Sequence, residues 1–182
     1  ENCSWEEEYP IFETHQELQN FNPDFLITIG GDGTILDAVT VVRNSGIPIL
    51  GINTGRLGFL ANVAKEEINS AINGLISGKF RIDERKTIMV QTSTDLQPEP
   101  NFALNEVTVS RKGTTAMITI HAYINGEYLN SYWADGLIVS TPTGSTGYSL
   151  SCGGPVLTPD VNSFVITPMA PHNLNARPLV IT

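Results

Sequence analysis

Gly30-Gly31-Asp32-Gly33-Thr34 sets a carboxylate inside a run of glycines. Glycines between a strand and a helix let the backbone approach a ligand closely, and N–H groups at the helix start favour a phosphate. A carboxylate there would repel phosphate unless it binds a metal or takes a proton. Both tasks belong to phosphoryl transfer, where positioning and charge neutralisation do most of the work. The run lacks the GK[ST] of a Walker loop, so no lysine reaches the phosphates, and it is not GxGxxG. The plainer alternative is a tight Asp-Gly turn from strand to helix.

A second group runs from Thr141 through Pro142, Thr143, Gly144, Ser145, Thr146, Gly147, Tyr148, Ser149, Leu150, Ser151 and Cys152 to Pro155. Hydroxyls and glycines in one irregular stretch can offer many hydrogen bonds to a polar ligand, with Tyr148 as an aromatic wall. The alternative is a Ser/Gly/Thr surface loop, although Pro142, Tyr148, Leu150 and Pro155 make it stiffer than a linker. No GxSxG and no evident His partner supports a serine nucleophile. Asn105-Glu106 lies between Leu104 and Val107: Asn can pair with a base edge and Glu can accept from a ribose hydroxyl, but exposure is the default. Asp135 before Gly136 is a turn residue by default and a ligand carboxylate by option. His172, in Pro171-His172-Asn173, reads as a turn.

These groups need elements to hold them. Thr14 to Glu17 has the spacing of a capping box opening a short helix. Phe25 to Ile29 is a short apolar run between Pro23 and Gly30, suited to a strand buried on both faces, as in a parallel sheet. Ile35, Leu36, Ala38, Val39 and Val42 predict a helix ending near Asn44-Ser45-Gly46, and Ile47 to Ile52 a second strand. Strand, glycine turn, helix and strand make a βαβ unit with parallel strands. After the glycine-bearing loop Asn53 to Phe59, a helix from about Lys65 to Ser77 shows Ile68, Ala71, Ile72, Leu75 and Ile76 on one face.

Beyond Gly78 the helical period gives way to β-branched residues. Ile88 to Val90, Val107 to Val109, Met117 to Ile124, Glu127 to Trp133, Leu137 to Val139 and Phe164 to Ile166 read as strands, with Asn125-Gly126 a hairpin turn. The fold class is therefore α/β plus all-β. An N-terminal α/β domain with a short parallel sheet, residues 1–83, precedes an antiparallel β-sandwich-like domain, residues 84–182. Pro98-Glu99-Pro100 is a loop inside the second.

The 182 residues carry a formal net charge of −9 with only 10 Lys and Arg, so no basic face marks a nucleic-acid partner. Cys3 and Cys152 lack CxxC spacing or a His cluster, which argues against zinc and for a reduced, cytoplasmic protein. No apolar run is long enough to span a bilayer, so no membrane partner is expected. The first residue is Glu1 and not Met, which reads as a start trimmed or left out.

Taken in order, the turn at 30–34, Asn105-Glu106, Asp135-Gly136 and the Thr141 to Pro155 stretch resemble the NAD kinase family, over essentially the whole chain. The turn alone is shared with diacylglycerol-type lipid kinases. The Thr-Pro-Thr-Gly-Ser-Thr-Gly-Tyr-Ser stretch is far more specific. The resemblance implies transfer of the terminal phosphate of ATP to the adenosine ribose 2′-hydroxyl of NAD, giving NADP. Asp32 would be the catalytic base, because a sugar hydroxyl is a poor nucleophile at neutral pH. Gly31, Gly33 and Thr34 would meet ATP phosphates. Asp32, Gly33, Phe59, Asn105, Glu106, Trp133, Asp135, Thr143, Thr146, Gly147, Tyr148, Ser149, Leu150 and Ser151 would hold NAD, with Phe59 walling the adenine. Mg²⁺ would arrive with ATP, with no protein metal ligands. A homo-oligomer is expected.

The chain departs from the family at Trp133, where many members carry a basic residue; this bears on dinucleotide contacts and the choice between NAD and NADH. Members also extend further at both ends. The alternatives are a lipid kinase, which would need an apolar acyl site, and a non-catalytic dinucleotide-binding module, which would not need Asp32.

Overall fold

The computed structural model describes residues 14–55, 58–93, 101–113 and 116–182, in two compact units divided between Arg81 and Ile82. Cys3, Arg56-Leu57 and Pro98-Glu99-Pro100 lie outside the described residues.

In the first unit, α1 (His15–Phe21) opens on the expected capping box. The Thr14 hydroxyl accepts from Glu17 N at 3.3 Å, and the Glu17 carboxylate accepts from Thr14 N at 3.0 Å. Strand β1 (Leu26–Gly30) pairs in parallel with β2 (Ile49–Asn53), from Leu26↔Ile49 to Gly30↔Asn53. Helix α2 (Asp32–Val42) joins them and buries Ile35, Ala38, Val39 and Val42, the stripe that i, i+3, i+4, i+7 spacing produces. Gly51 allows that packing, since a Cβ on it would overlap Ile35 and stand 3.0 Å from the Cα of Ala61.

Several features of this unit differ from the sequence reading, the first being β1, expected to be buried on both faces, where Ile27 and Ile29 are exposed. A third parallel strand, β3 (Val63–Ala64), extends the sheet beyond β2; at two residues it is too short to leave a pattern. The second helix begins as a 3₁₀ turn, Lys65–Glu67, and becomes α3 (Ile68–Ile76). Ile68, Ala71, Ile72 and Leu75 are half-buried, but Ile76 is 81% exposed, because eight residues of helix carry it about 80° around from Ile68.

The second unit is antiparallel throughout. Short strands β4 (Ile88–Met89) and β5 (Phe102–Ala103) pair with each other. Strand β6 (Glu106–Ser110) lies beside β9 (Gly136–Ser140), which pairs with β10 (Phe164–Met169), which pairs with β11 (Leu179–Ile181). Strands β7 (Ile118–Ile124) and β8 (Glu127–Ala134) form a hairpin. Its turn residues Asn125 and Gly126 have φ of 53° and 87°, the left-handed pair that Asn-Gly supplies most readily. The inward face of this ribbon, with Ile120, Ala122, Ile124, Leu129, Tyr132 and Ala134, packs on Leu137, Ile166, Ala176 and Ile181. Two sheet layers thus share one core, as the alternating pattern predicts. Strands β5 and β11 escaped the sequence reading because they are only two and three residues long.

Candidate active site

In the first unit, β1 and β2 end side by side at Gly30 and Asn53. At the carboxyl ends of parallel strands, the loops and helix starts are free to meet a ligand. The chain leaves β1 through Gly31, the extended N-cap of α2, so Asp32 stands in the helix's first turn. There the positive end of the helix favours an anion. The chain leaves β2 into the segment that returns through Gly58 to Ala61.

That segment closes on the carboxylate. Asp32 Oδ1 accepts from Leu60 N at 3.0 Å and Ala61 N at 2.9 Å, and Oδ2 accepts from Phe59 N at 2.7 Å. Partial burial pushes the Asp32 carboxyl up, but the Ala61, Phe59 and Leu60 N–H groups together outweigh it and hold the pKa below the usual value. Gly58 leaves the carboxylate room: a Cβ on it would stand 2.5 Å from Asp32 Cγ. Sequence reasoning found Asp32 but missed these partners, which lie 27 to 29 residues on. Backbone donors leave no mark in residue type; the available signal was Gly58.

A Cβ on Gly31 or Gly33 would meet nothing within 4 Å, so the backbone at both positions faces open space. Gly30 does another job: a side chain there would overlap the Thr34 hydroxyl. Phe59 is 84% exposed and its ring is available as a wall.

In the second unit the two motifs are brought together. The Thr141 hydroxyl donates to the Leu104 carbonyl at 2.6 Å, and Thr141 N donates to the Asn105 carbonyl at 2.9 Å. The same hydroxyl accepts from Gly144 N at 3.1 Å and shapes a short 3₁₀ turn, Thr143–Thr146. A turn of helix, α4 (Tyr148–Ser151), follows. The irregular loop expected here is therefore largely helical, held by buried hydroxyls instead of a repeating apolar pattern. Gly144 sits directly on the Asn105 backbone and Gly147 beside Glu106, where a Cβ would come within 3.1 Å of Oε2.

Asn105 and Glu106 are not solvent-facing, as a polar pair in a strand would be by default; both are half-buried. Glu106 Oε2 is buried without a hydrogen-bond partner among the described residues. Burial pushes the Glu106 carboxyl up, opposed by a hydrogen bond from the Tyr148 backbone. A partnerless buried carboxylate oxygen is costly unless a ligand donor meets it.

The hydroxyls of the long motif divide by direction. Ser145 bonds the Pro142 carbonyl at 2.6 Å and accepts from Leu157 N at 2.9 Å. Ser149, expected from the resemblance to bind the dinucleotide, is fully buried and bonded to the Thr167 hydroxyl at 2.8 Å. Its side chain serves the core, because α4 turns it inward. Thr146, Tyr148, Leu150 and Ser151 are exposed, while Thr143 and Gly147 are half-buried. Arg85 brings a guanidinium nitrogen to 3.4 Å from the Thr143 hydroxyl, a neighbour the sequence did not single out.

Asp135 joins β8 to β9 and is paired with Arg111, Nε to Oδ1 3.2 Å, also unforeseen. Trp133 is 48% exposed, and its ring meets that of His172 edge-on at 4.4 Å between centroids. Their backbones are tied as well, with His172 N donating to the Trp133 carbonyl at 2.8 Å and Trp133 N to the Asn173 side chain at 2.9 Å. His172 is thus a turn residue that backs the tryptophan. Among the described residues no group of three His, Cys, Asp or Glu gathers to hold a metal, and no helix is long and apolar enough to cross a membrane.

Comparison with known proteins finds one family for both halves of the chain. The ATP-NAD kinase N-terminal domain model matches residues 2–80 and the ATP-NAD kinase C-terminal domain model matches residues 104–182. An NAD kinase of Flavobacterium psychrophilum is 59% identical, over 100% of this chain and 62% of the relative. One of Flavobacterium johnsoniae is 61% identical, over 96% of this chain and 60% of the relative. The chain thus spans about six tenths of the length of the curated relatives it matches. Among solved structures, an NAD kinase from Archaeoglobus fulgidus in complex with ATP aligns with a TM-score of 0.78 at 33% identity, covering 94% of this chain and 66% of that one. Yeast NADH kinase complexed with NADH aligns with a TM-score of 0.77 at 32% identity, covering 87% and 48%.

Proposed function

The chain belongs to the NAD kinase family, whose two domain models match its two halves, and on that premise we propose that it phosphorylates NAD with ATP to give NADP. The observation that carries the substrate side is Glu106. A half-buried carboxylate with one partnerless oxygen, walled by Gly147 and capped by the Tyr148 backbone, suits the paired hydroxyls of a ribose. Asn105 beside it offers an amide to the adenine edge. Thr143, Thr146, Gly147, Tyr148, Leu150, Ser151, Trp133, Asp135 and Phe59 complete the proposed dinucleotide contacts.

The chemical step then follows. The 2′-oxygen of the adenosine ribose bonds to the γ-phosphorus of ATP as its proton passes to the Asp32 carboxylate. The bond from that phosphorus to the β–γ bridging oxygen breaks, and ADP leaves with the electron pair. The open backbone at Gly31 and Gly33, with Thr34, accommodates phosphate oxygens at the start of α2. The divalent ion, Mg²⁺ in this proposal, would enter as part of the MgATP substrate and would help to neutralise the phosphate charge.

The working division is residues 1–83 for the base and phosphates and 84–182 for the dinucleotide. A cytoplasmic location accords with the free thiol of Cys152. A homo-oligomer rests on the family resemblance and is tested by molecular mass in solution. The lipid-kinase alternative loses its ground, since the glycine turn that suggested it lies within a matched NAD kinase domain.

The deciding experiment is NADP formation from NAD, ATP and Mg²⁺, with Asp32→Asn beside the wild type. Product from the wild type and a loss of about 10²- to 10⁴-fold in the variant support both the reaction and the base. Equal rates would remove Asp32 as base. No product from either would overturn the proposed reaction.

A further inference from the structure

Both oxygens of Asp32 are engaged, but unequally. Oδ1 takes two N–H groups, from Leu60 and Ala61, which uses both its lone pairs. Oδ2 takes one, from Phe59, and keeps one lone pair open among the described residues. The donors are themselves held. Asn53, buried at the end of β2, donates from Nδ2 to the Ala61 carbonyl at 3.2 Å and accepts at Oδ1 from Gly55 N at 2.8 Å. One side chain thus ties the segment at its start and its end. Gly58 supplies the space; its backbone is not in the left-handed region, and the atoms nearest to an alanine Cβ there would be those of the Asp32 carboxylate.

We infer that Asn53 and Gly58 are positioning residues for the reaction, fixing the carboxylate so that Oδ2 of Asp32 is the single proton-accepting atom. This rests on the proposed reaction and adds to it which oxygen acts and what aims it. The consequence is a trade. Three N–H donors orient the base and also make it weaker, so loosening the segment misaligns the carboxylate and raises its proton affinity at once. Among the described residues the shift comes from burial and these three N–H groups, and Asp37 on the same helix and Lys65, Glu66 and Glu67 beyond β3 are not among its causes.

The test uses the full chain with Asn53→Ala and Gly58→Ala, two readouts, and Asp32→Asn as control. The kcat for NADP formation falls by about 10- to 100-fold in each variant, as expected for a misplaced reacting group. KM for NAD changes less than kcat, because of the proposed dinucleotide contacts only Asp32 and Phe59 lie on or against the loosened segment, and those between residues 105 and 151 are untouched. The acid limb of kcat, where Asp32 becomes protonated, moves to higher pH in both. Lost stability alone would lower kcat without moving that limb. The second readout is the ¹³C carboxyl resonance of Asp32, which titrates whether or not the protein turns over. A midpoint raised in the variants supports the inference. An unchanged midpoint, or an unmoved limb in active variants, overturns it. If the wild type makes no NADP, the reaction is lost, and the carboxyl titration still decides whether Asn53 and Gly58 hold Asp32. Should Asn53→Ala fail to fold, Gly58→Ala decides.

Discussion

Gly144 rests on the backbone of Asn105 so closely that a Cβ at residue 144 would overlap the Asn105 carbonyl oxygen and stand 2.6 Å from its Cα. The contact joins two motifs nearly forty residues apart and gives the Asn105-Glu106 pair its wall. The obstacle is backbone, which cannot rotate away as a side chain could. Gly144→Ala therefore separates the turn from the strand, with an expected cost of about 1–3 kcal/mol for overpacking. Thermal unfolding should show the loss, and calorimetry should show weaker NAD binding. Unchanged values for both would mean that the turn can move off Asn105 freely.

Much of this architecture was legible, and the reasons are local. The capping box at Thr14, the apolar run before Gly30, the α2 stripe and Asn125-Gly126 are dictated by neighbours in sequence, so residue types reveal them. What stayed hidden is long-range or made of backbone. The N–H groups on Asp32 come from Phe59, Leu60 and Ala61, whose side chains say nothing about donors. Arg111 finds Asp135, and Arg85 finds Thr143, only through folding. The default exposure of Asn105-Glu106 failed for the same reason: what covers the pair arrives from residues 141–148.

Glu106→Gln separates charge from shape. The folded pKa of Glu106 is raised, so folding favours its protonated form. That contribution is complete below the unfolded glutamate pKa and is lost as pH rises through the higher folded value. The wild type should thus lose stability relative to Glu106→Gln across that window and keep the deficit above it. Melting curves from acid to neutral pH measure this. At neutral pH the variant should also raise KM for NAD, because an amide offers one acceptor oxygen where the carboxylate offers two.

Asp32→Asn should show the opposite pH dependence. The folded pKa of Asp32 is lowered, so its contribution is present above the unfolded aspartate pKa and disappears as pH falls through the folded value. An asparagine must turn its amide nitrogen toward at least one of the three N–H donors. The expected cost is about 1–3 kcal/mol at neutral pH, shrinking toward acid. Chemical denaturation at two pH values checks it; an equal loss at both would mean that the charge of Asp32 is not what the loop recognises.

Trp133 gives a prediction about binding. About half of the residue is exposed, and its backbone contacts to Asn173 and His172 do not depend on the side chain. Trp133→Ala should lower the unfolding midpoint only slightly, through loss of the edge contact with the His172 ring. A lost aromatic contact is worth about 0.5–1.5 kcal/mol, so NAD binding should weaken by about two- to tenfold. Equal affinity in the variant would take Trp133 out of the dinucleotide site.

Ser149 and Ser151 test which hydroxyls of the long motif face a ligand. They share the turn α4 but point differently: Ser149 is fully buried on Thr167, and Ser151 is exposed. Ser149→Ala removes a buried hydrogen bond and leaves the Thr167 hydroxyl to find a new partner, at a cost of about 1–3 kcal/mol. Its effect should appear in the melting temperature, with KM for NAD little changed. Ser151→Ala should do the reverse, raising KM while the melting temperature holds. Sequence alone ranks the two serines together, so opposite responses would mean that the inward turn of α4 assigns their roles. A rise in KM from Ser149→Ala at unchanged stability would instead return that hydroxyl to the ligand.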